Sequence, residues 1–290
     1  MPTGPDSIYI DYIGIFRSPV FKAIAMFDIH TPIIEVLAPK MDPPEDLEER
    51  LARFKTAFDR VHSAGFTVSM PDAPMGHDRF GAMETLEYLD LAPDPDRFLL
   101  HLNTFHTRPE LDALLAAAAG RGLRNVLVVS GDGSPKRHRL EPAEIGLNTM
   151  NVTSVELLGY IRRMHGGAFD LGVAYNQYEP DAAETAKLGR KLDAGARYVI
   201  TQPWLAPSSA IDTLRGRGVP LVAGLWFSAN IALLAECVDH PLDAPQPYDP
   251  FAVWAAIRDR HPGCGYYISG MSAKQFPKLL EVHHAVVATG

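Results

Sequence analysis

Cysteine is almost missing from this chain: only Cys237 and Cys264 occur among 290 residues. Two thiols this far apart form neither a disulfide framework nor a thiolate metal cage. Both are expected to be small buried hydrophobes in a reducing cytoplasm. Positive charge is also short. Lysine and arginine number 27 against 35 acidic residues, a formal net charge of −8, which argues against a nucleic-acid or acidic-membrane binder. No uninterrupted apolar run reaches the roughly 20 residues that span a bilayer. The nearest stretch, 8–27, is broken by Asp11, Arg17, Pro19 and Lys22. Its acidic residues precede its basic ones, the reverse of a signal peptide. Residues 1–30 are therefore read as an N-terminal extension that packs on the rest of the chain or on a partner subunit. Linkers, repeats and low-complexity segments are lacking, so residues 31–290 are expected to form one domain. The histidines show no metal-ligand spacing with acidic neighbours, and no metal is expected.

What is present is alternation. Hydrophobic residues make up 47%, in short apolar runs separated by amphipathic segments. Strands are expected over 33–37, 66–70, 98–102, 125–129, 169–175, 198–202, 221–225 and 265–269. Helices are expected over 44–64, 81–89, 108–120, 153–164, 181–192, 208–215, 229–237, 251–260 and 272–286. Pro43 and Pro44 open the first helix, and Thr153 with Glu156 reads as a capping box. Eight strands alternating with helices imply parallel pairing with helical crossovers, and the count fits a single (β/α)8 TIM-type barrel. An open doubly wound sheet is the alternative, but no Gly-x-Gly-x-x-Gly follows an early strand.

A barrel of this kind builds its site where the strands end. The polar residues there are Glu35, His101, Asn103, Asp132, Tyr175 and Gln202. Glu35 lies within the apolar run Ile33-Ile34-Glu35-Val36-Leu37. Burial would raise its pKa and make it an acid at neutral pH; equally, it could pair with an arginine inside the barrel. Asp132 stands between Gly131 and Gly133, which let backbone approach a ligand or simply form a turn. The Gln202 amide could read a heterocycle or bond a loop at the rim. His101 could touch a ligand or be a core histidine.

These positions also carry a family pattern. Glu35-Val36-Leu37-Ala38-Pro39-Lys40, His101-Leu102-Asn103, the strand ending Ser130-Gly131-Asp132, Phe169-Asp170-Leu171-Gly172-Val173-Ala174-Tyr175 and the run from Arg190 to Gln202 appear in order. Together they resemble the methylenetetrahydrofolate reductase family over about residues 33–224. The resemblance implies a hydride moved from NAD(P)H to flavin adenine dinucleotide (FAD) and on to a one-carbon folate. It implies Glu35 as the acid that opens the folate's imidazolidine ring. Asp132 would act on the pterin and influence the flavin, and Gln202 would bind substrate. Flavin contacts would fall at Ala73, His101, Ser130, Gly131, Asp132, Tyr175, Arg190 and Lys191. Ser130 stands where the pattern has arginine, and Met70-Pro71 where it has a hydroxyl pair. Met271 stands where it has an arginine for the folate tail, and Lys274 is the expected substitute. The partners implied are a folate and further copies of the chain.

Three functions follow. One is a folate oxidoreductase, working through flavin or by direct transfer between nicotinamide and folate. Another is a one-carbon transferase without redox chemistry. The third is a folate-binding subunit of a complex. Glu35, Asp132 and Gln202 together favour an enzyme, since a binding module needs no acid.

Overall fold

The computed structural model describes residues 27–133, 136–243 and 247–289, with side chains up to 285. Eight parallel strands close in sequence order into a barrel. They are β1 (Ile33–Glu35), β2 (Thr67–Met70), β3 (Phe98–Leu102), β4 (Asn125–Val128), β5 (Asp170–Tyr175), β6 (Tyr198–Trp204), β7 (Leu221–Trp226) and β8 (Gly265–Ser269). The surrounding helices are α1 (Leu47–Ser63), α2 (Ala82–Tyr88), α3 (Arg108–Gly120), α4 (Ser154–His165), α5 (Asp181–Asp193), α6 (Ser209–Arg215), α7 (Ile231–Val238), α8 (Pro250–Arg260) and α9 (Phe276–Thr289). Short 3-10 turns at Pro74–Gly76 and Pro142–Ile145 add to the expected set, and the start of the expected first helix, Pro44–Asp46, is 3-10. Among the described residues no helix is long and apolar enough to cross a membrane.

Local chemistry explains the elements. In α1 the apolar residues Leu51, Phe54, Phe58 and Val61 recur at helical spacing, and all are buried. Each such side chain contributes about 1.5–3 kcal/mol when fully removed from water. The capping box on α4 forms as expected: Thr153 N donates to Glu156 at 2.9 Å, and Val155 N donates to the Thr153 hydroxyl at 3.2 Å.

Strand alternation divides the core in two. Outward residues such as Val68, Leu100, Val126 and Val173 pack on the helices. Inward residues Ile33, Leu99, Leu127, Tyr198, Ile200, Val222 and Tyr267 fill the barrel. The lower end is plugged. Phe27 stacks 5.0 Å from Tyr198, and its amide donates to the Asp170 carboxylate at 2.6 Å. Tyr198 reaches across the interior, so a Cβ on Gly172 would come within 2.0 Å of its ring. Glycine at this strand position is a packing requirement. Residues 27–30 thus lie against the barrel floor, while 1–26 of the expected extension fall outside the described residues. With the bottom filled, space remains at the C-terminal mouth.

Candidate active site

That mouth holds a cavity of about 560 Å³, within the usual range for small-molecule sites. Four inward side chains share its floor. The Tyr267 hydroxyl of β8 donates to Glu35 Oε2 of β1 at 3.0 Å. The Ser69 hydroxyl of β2 lies 3.3 Å from the Tyr267 oxygen and 2.8 Å from Nε2 of His101 on β3. If Ser69 donates to Tyr267, His101 carries its proton on Nε2, and the bonds run in one direction from His101 to Glu35. Desolvation raises the Glu35 pKa to about 7, against the Tyr267 bond and the positive charge of Arg79, which both lower it. Desolvation lowers His101 to about 4, against the raising charge of Asp72, so this imidazole is neutral at physiological pH. The Glu35 carboxyl is therefore half protonated near neutrality, as a general acid needs.

The walls come from loops. The turn after β2 crosses the mouth: Met75 N donates to Asp132 Oδ2 at 2.5 Å, and Met75 sulfur lies 3.6 Å from the Cys237 sulfur on α7. Ala73 and Met75 hold left-handed backbone at φ 46 and φ 57, a conformation costing about 1–2 kcal/mol for a residue with a Cβ. Gly131 is also left-handed, and a Cβ there would sit 2.8 Å from Asn103 Cβ. On β6, register shifts between Ile200 and Pro203. The Thr201 hydroxyl holds the irregularity by accepting Gly224 N at 3.0 Å and Trp204 Nε1 at 2.8 Å. This leaves Gln202 on the cavity wall.

Of the residues expected from sequence, the structure gathers Glu35, His101, Ser130, Gly131, Asp132, Lys191 and Gln202 around one cavity. Tyr175, Ala73, Arg190 and Lys274 do not line it. Tyr175 shares the outward parity of Val173 and packs into the layer beneath the helices. Ala73 is buried behind the turn, while Arg190 and Lys274 are exposed elsewhere. Glu35 makes no arginine ion pair at contact distance among the described residues. Sequence reading passed over Ser69, Arg79 and Tyr267. Alternation within β2 and β8 marks Ser69 and Tyr267 as inward, but only closure of the barrel brings β8 beside β1. No local signal marks Arg79.

The fold is a (β/α)8 barrel whose mouth holds a buried carboxyl at its floor, with an amide and a second carboxylate on the walls. Comparison with known proteins narrows that description. The methylenetetrahydrofolate reductase family model matches residues 33–211. The chain belongs to that family, which makes it an oxidoreductase of one-carbon folates. A search of curated proteins found no match. Solved structures of similar shape include a Vibrio fischeri 7,8-dihydropteroate synthase, at 11% identity and TM-score 0.47 over 92% of this chain and 96% of that one. A Xanthomonas albilineans dihydropteroate synthase with 4-aminobenzoic acid gives 16%, 0.47, 91% and 95%. A 2,3-dimethylmalate lyase gives 14%, 0.46, 89% and 81%. Likeness at this level carries no argument about substrate.

The groups at the expected flavin positions do not form a cradle for FAD. Of those positions, Ala73, Tyr175 and Arg190 lie outside the cavity. Lys191 Nζ donates to Ala174 O at 2.6 Å and pairs with buried Glu184 at 3.6 Å. Lys187 is held by the same Glu184 at 2.6 Å. The Ser130 hydroxyl accepts Ser154 N at 3.2 Å, engaging the first amide of α4. Asp132 already accepts Met75 N. The chemistry below is therefore derived without a flavin.

Proposed function

We propose that this protein interconverts 5,10-methylenetetrahydrofolate and 5-methyltetrahydrofolate, with a nicotinamide dinucleotide exchanging hydride directly with the folate. The carrying observation is the Glu35 carboxyl, poised near neutral pH at the cavity floor under the Tyr267 hydroxyl. In the reductive direction Glu35 gives its proton to N10 of the folate as the bond between N10 and the methylene carbon breaks. The bond's electron pair takes up that proton, leaving an iminium at N5. Hydride, with both its electrons, then passes from C4 of the dihydronicotinamide to the methylene carbon and forms the methyl group. Tyr267 keeps its hydrogen bond to the carboxylate left behind, which stabilises the charge. Gln202 and Asp132 line the same cavity, and in this reading they meet the pterin's donors and acceptors, Asp132 once the Met75 turn moves aside. The oxidative direction uses the same transition state in reverse.

Direct transfer is favoured over a flavin relay by the expected flavin contacts themselves: Ser130 stands in place of a cation, and Ala73, Tyr175 and Arg190 lie outside the cavity. The test is isotopic. With dihydronicotinamide deuterated in the transferred position at C4, direct transfer delivers the label into the product methyl group without loss to water. A relay through flavin exposes the hydrogen to exchange at the flavin nitrogen. Methyl groups lacking deuterium would overturn direct transfer, and absence of folate turnover would overturn the assignment itself.

A further inference from the structure

The cavity holds its cations on two sides, and they differ. On one side Lys187 and Lys191 are both engaged by Glu184. On the other stands Arg79. Its Nη1 donates to Ala38 O at 2.5 Å, while its Nε is buried without a partner. Among the described residues no carboxylate lies at ion-pair distance from it. A partly desolvated guanidinium cannot shed its proton; the Glu35 charge offsets part of the desolvation from beyond contact distance, and an incoming anion would offset more. Its position is fixed by a short antiparallel contact with the segment leaving β1: Lys40 bridges Arg79, Met41 N donates to Asp78 O at 3.1 Å, and Phe80 N donates to Pro39 O at 3.1 Å. Leu37, two residues beyond Glu35, lines the same wall and is 41% exposed, an uncovered apolar surface beside the acid.

These three features line one cavity and together suit one kind of molecule: an ionisable amine for Glu35, an apolar ring for Leu37, and a carboxylate for Arg79. We propose that Arg79 binds the carboxylate tail of the folate substrate, with the benzoyl ring against Leu37, so that the tail leaves the barrel between β1 and β2. This rests on the reading of the substrate as a one-carbon folate. It departs from the expectation of Lys274, which lies outside the cavity.

The test compares two substrates: 5,10-methylenetetrahydrofolate, and its analogue with both glutamate carboxylates converted to amides. A charge-assisted hydrogen bond contributes about 1.5–3 kcal/mol, roughly tenfold or more in affinity. Wild-type protein should show a KM for the diamide at least about tenfold above that for the natural substrate. Arg79→Gln should bring the KM values of the two substrates together, a ratio near one, and retain the wild-type melting temperature within a few degrees. Arg79→Lys, which keeps charge without the planar fork, should fall between. The proposal is overturned if Arg79→Gln and Arg79→Lys leave the two KM values as in wild type, if they raise both equally, or if Lys274→Gln removes the discrimination instead. Failure of wild-type protein to reduce either substrate would strike the functional reading, a result distinct from turnover without discrimination.

Discussion

In the proposed reaction Glu35 supplies the proton, and its surroundings, not its identity, set its proton affinity. A carboxyl moved from water to the barrel floor loses hydration that one tyrosine bond and a nearby guanidinium only partly replace. The sign of its effect on stability follows. Its folded pKa of about 7 lies above the ordinary 4.5, so its contribution is full below pH 4.5 and is lost as pH rises through 7. Glu35→Gln removes that penalty. The variant should melt above wild type at pH 8, by an amount corresponding to about 3 kcal/mol, with the gap closing toward pH 4.5. A carboxylate serving as half of an ion pair gives the opposite result, since breaking the pair lowers stability. Thermal melts of both proteins at the two pH values distinguish these cases. Glu35 and Gln202 were legible in the sequence because each is a polar residue at the end of an apolar strand. Their facing was not, because a strand end has two sides: Tyr175 also ends a strand, yet points outward, one position out of phase with the inward Ala174.

At the level of elements, the turn after β2 does what no strand pattern foretells. The segment from Pro71 to Arg79 lines the mouth, contacts the β4 loop through Asp132 and reaches α7 through Cys237. Gly76 in this turn is left-handed at φ 65, but Ala73 and Met75 carry ordinary side chains, so the sequence announces only part of the bend. The Asp132 carboxylate helps to hold this strained turn, through a charge-assisted bond of the 1.5–3 kcal/mol class. Asp132→Ala should therefore speed hydrogen exchange at the Met75 amide by at least about tenfold while leaving barrel-strand amides protected. Equal exchange in the two proteins would show that the turn is held by other means. Arg79 belongs to the same segment, which is why neither of its contacts, to Ala38 or to the cavity, could be read locally. The strands themselves were legible, within a few residues at their ends, because each is a short apolar run bounded by polar or glycine-containing turns.

For the whole molecule, closure is the step that makes the site. Strand order β1 to β8 is simple enough to infer from alternation, but the Tyr267–Glu35 contact spans 232 positions and exists only because the last strand pairs with the first. The plug of Phe27, Ile29 and Tyr198 fills the opposite end, which confines the described polar cluster to the C-terminal mouth. Of the expected extension, residues 1–30, only 27–30 fall among the described residues. The central claim, that this mouth exists to protonate a folate through Glu35, is tested most directly by the steady-state turnover of 5,10-methylenetetrahydrofolate by Glu35→Gln at pH 7. Glutamine keeps the shape and loses the transferable proton. General acid catalysis is worth about 10² to 10⁴-fold, so kcat should fall at least about a hundredfold in a protein that melts no lower than wild type. A folded Glu35→Gln protein with kcat within about threefold of wild type would contradict the claim.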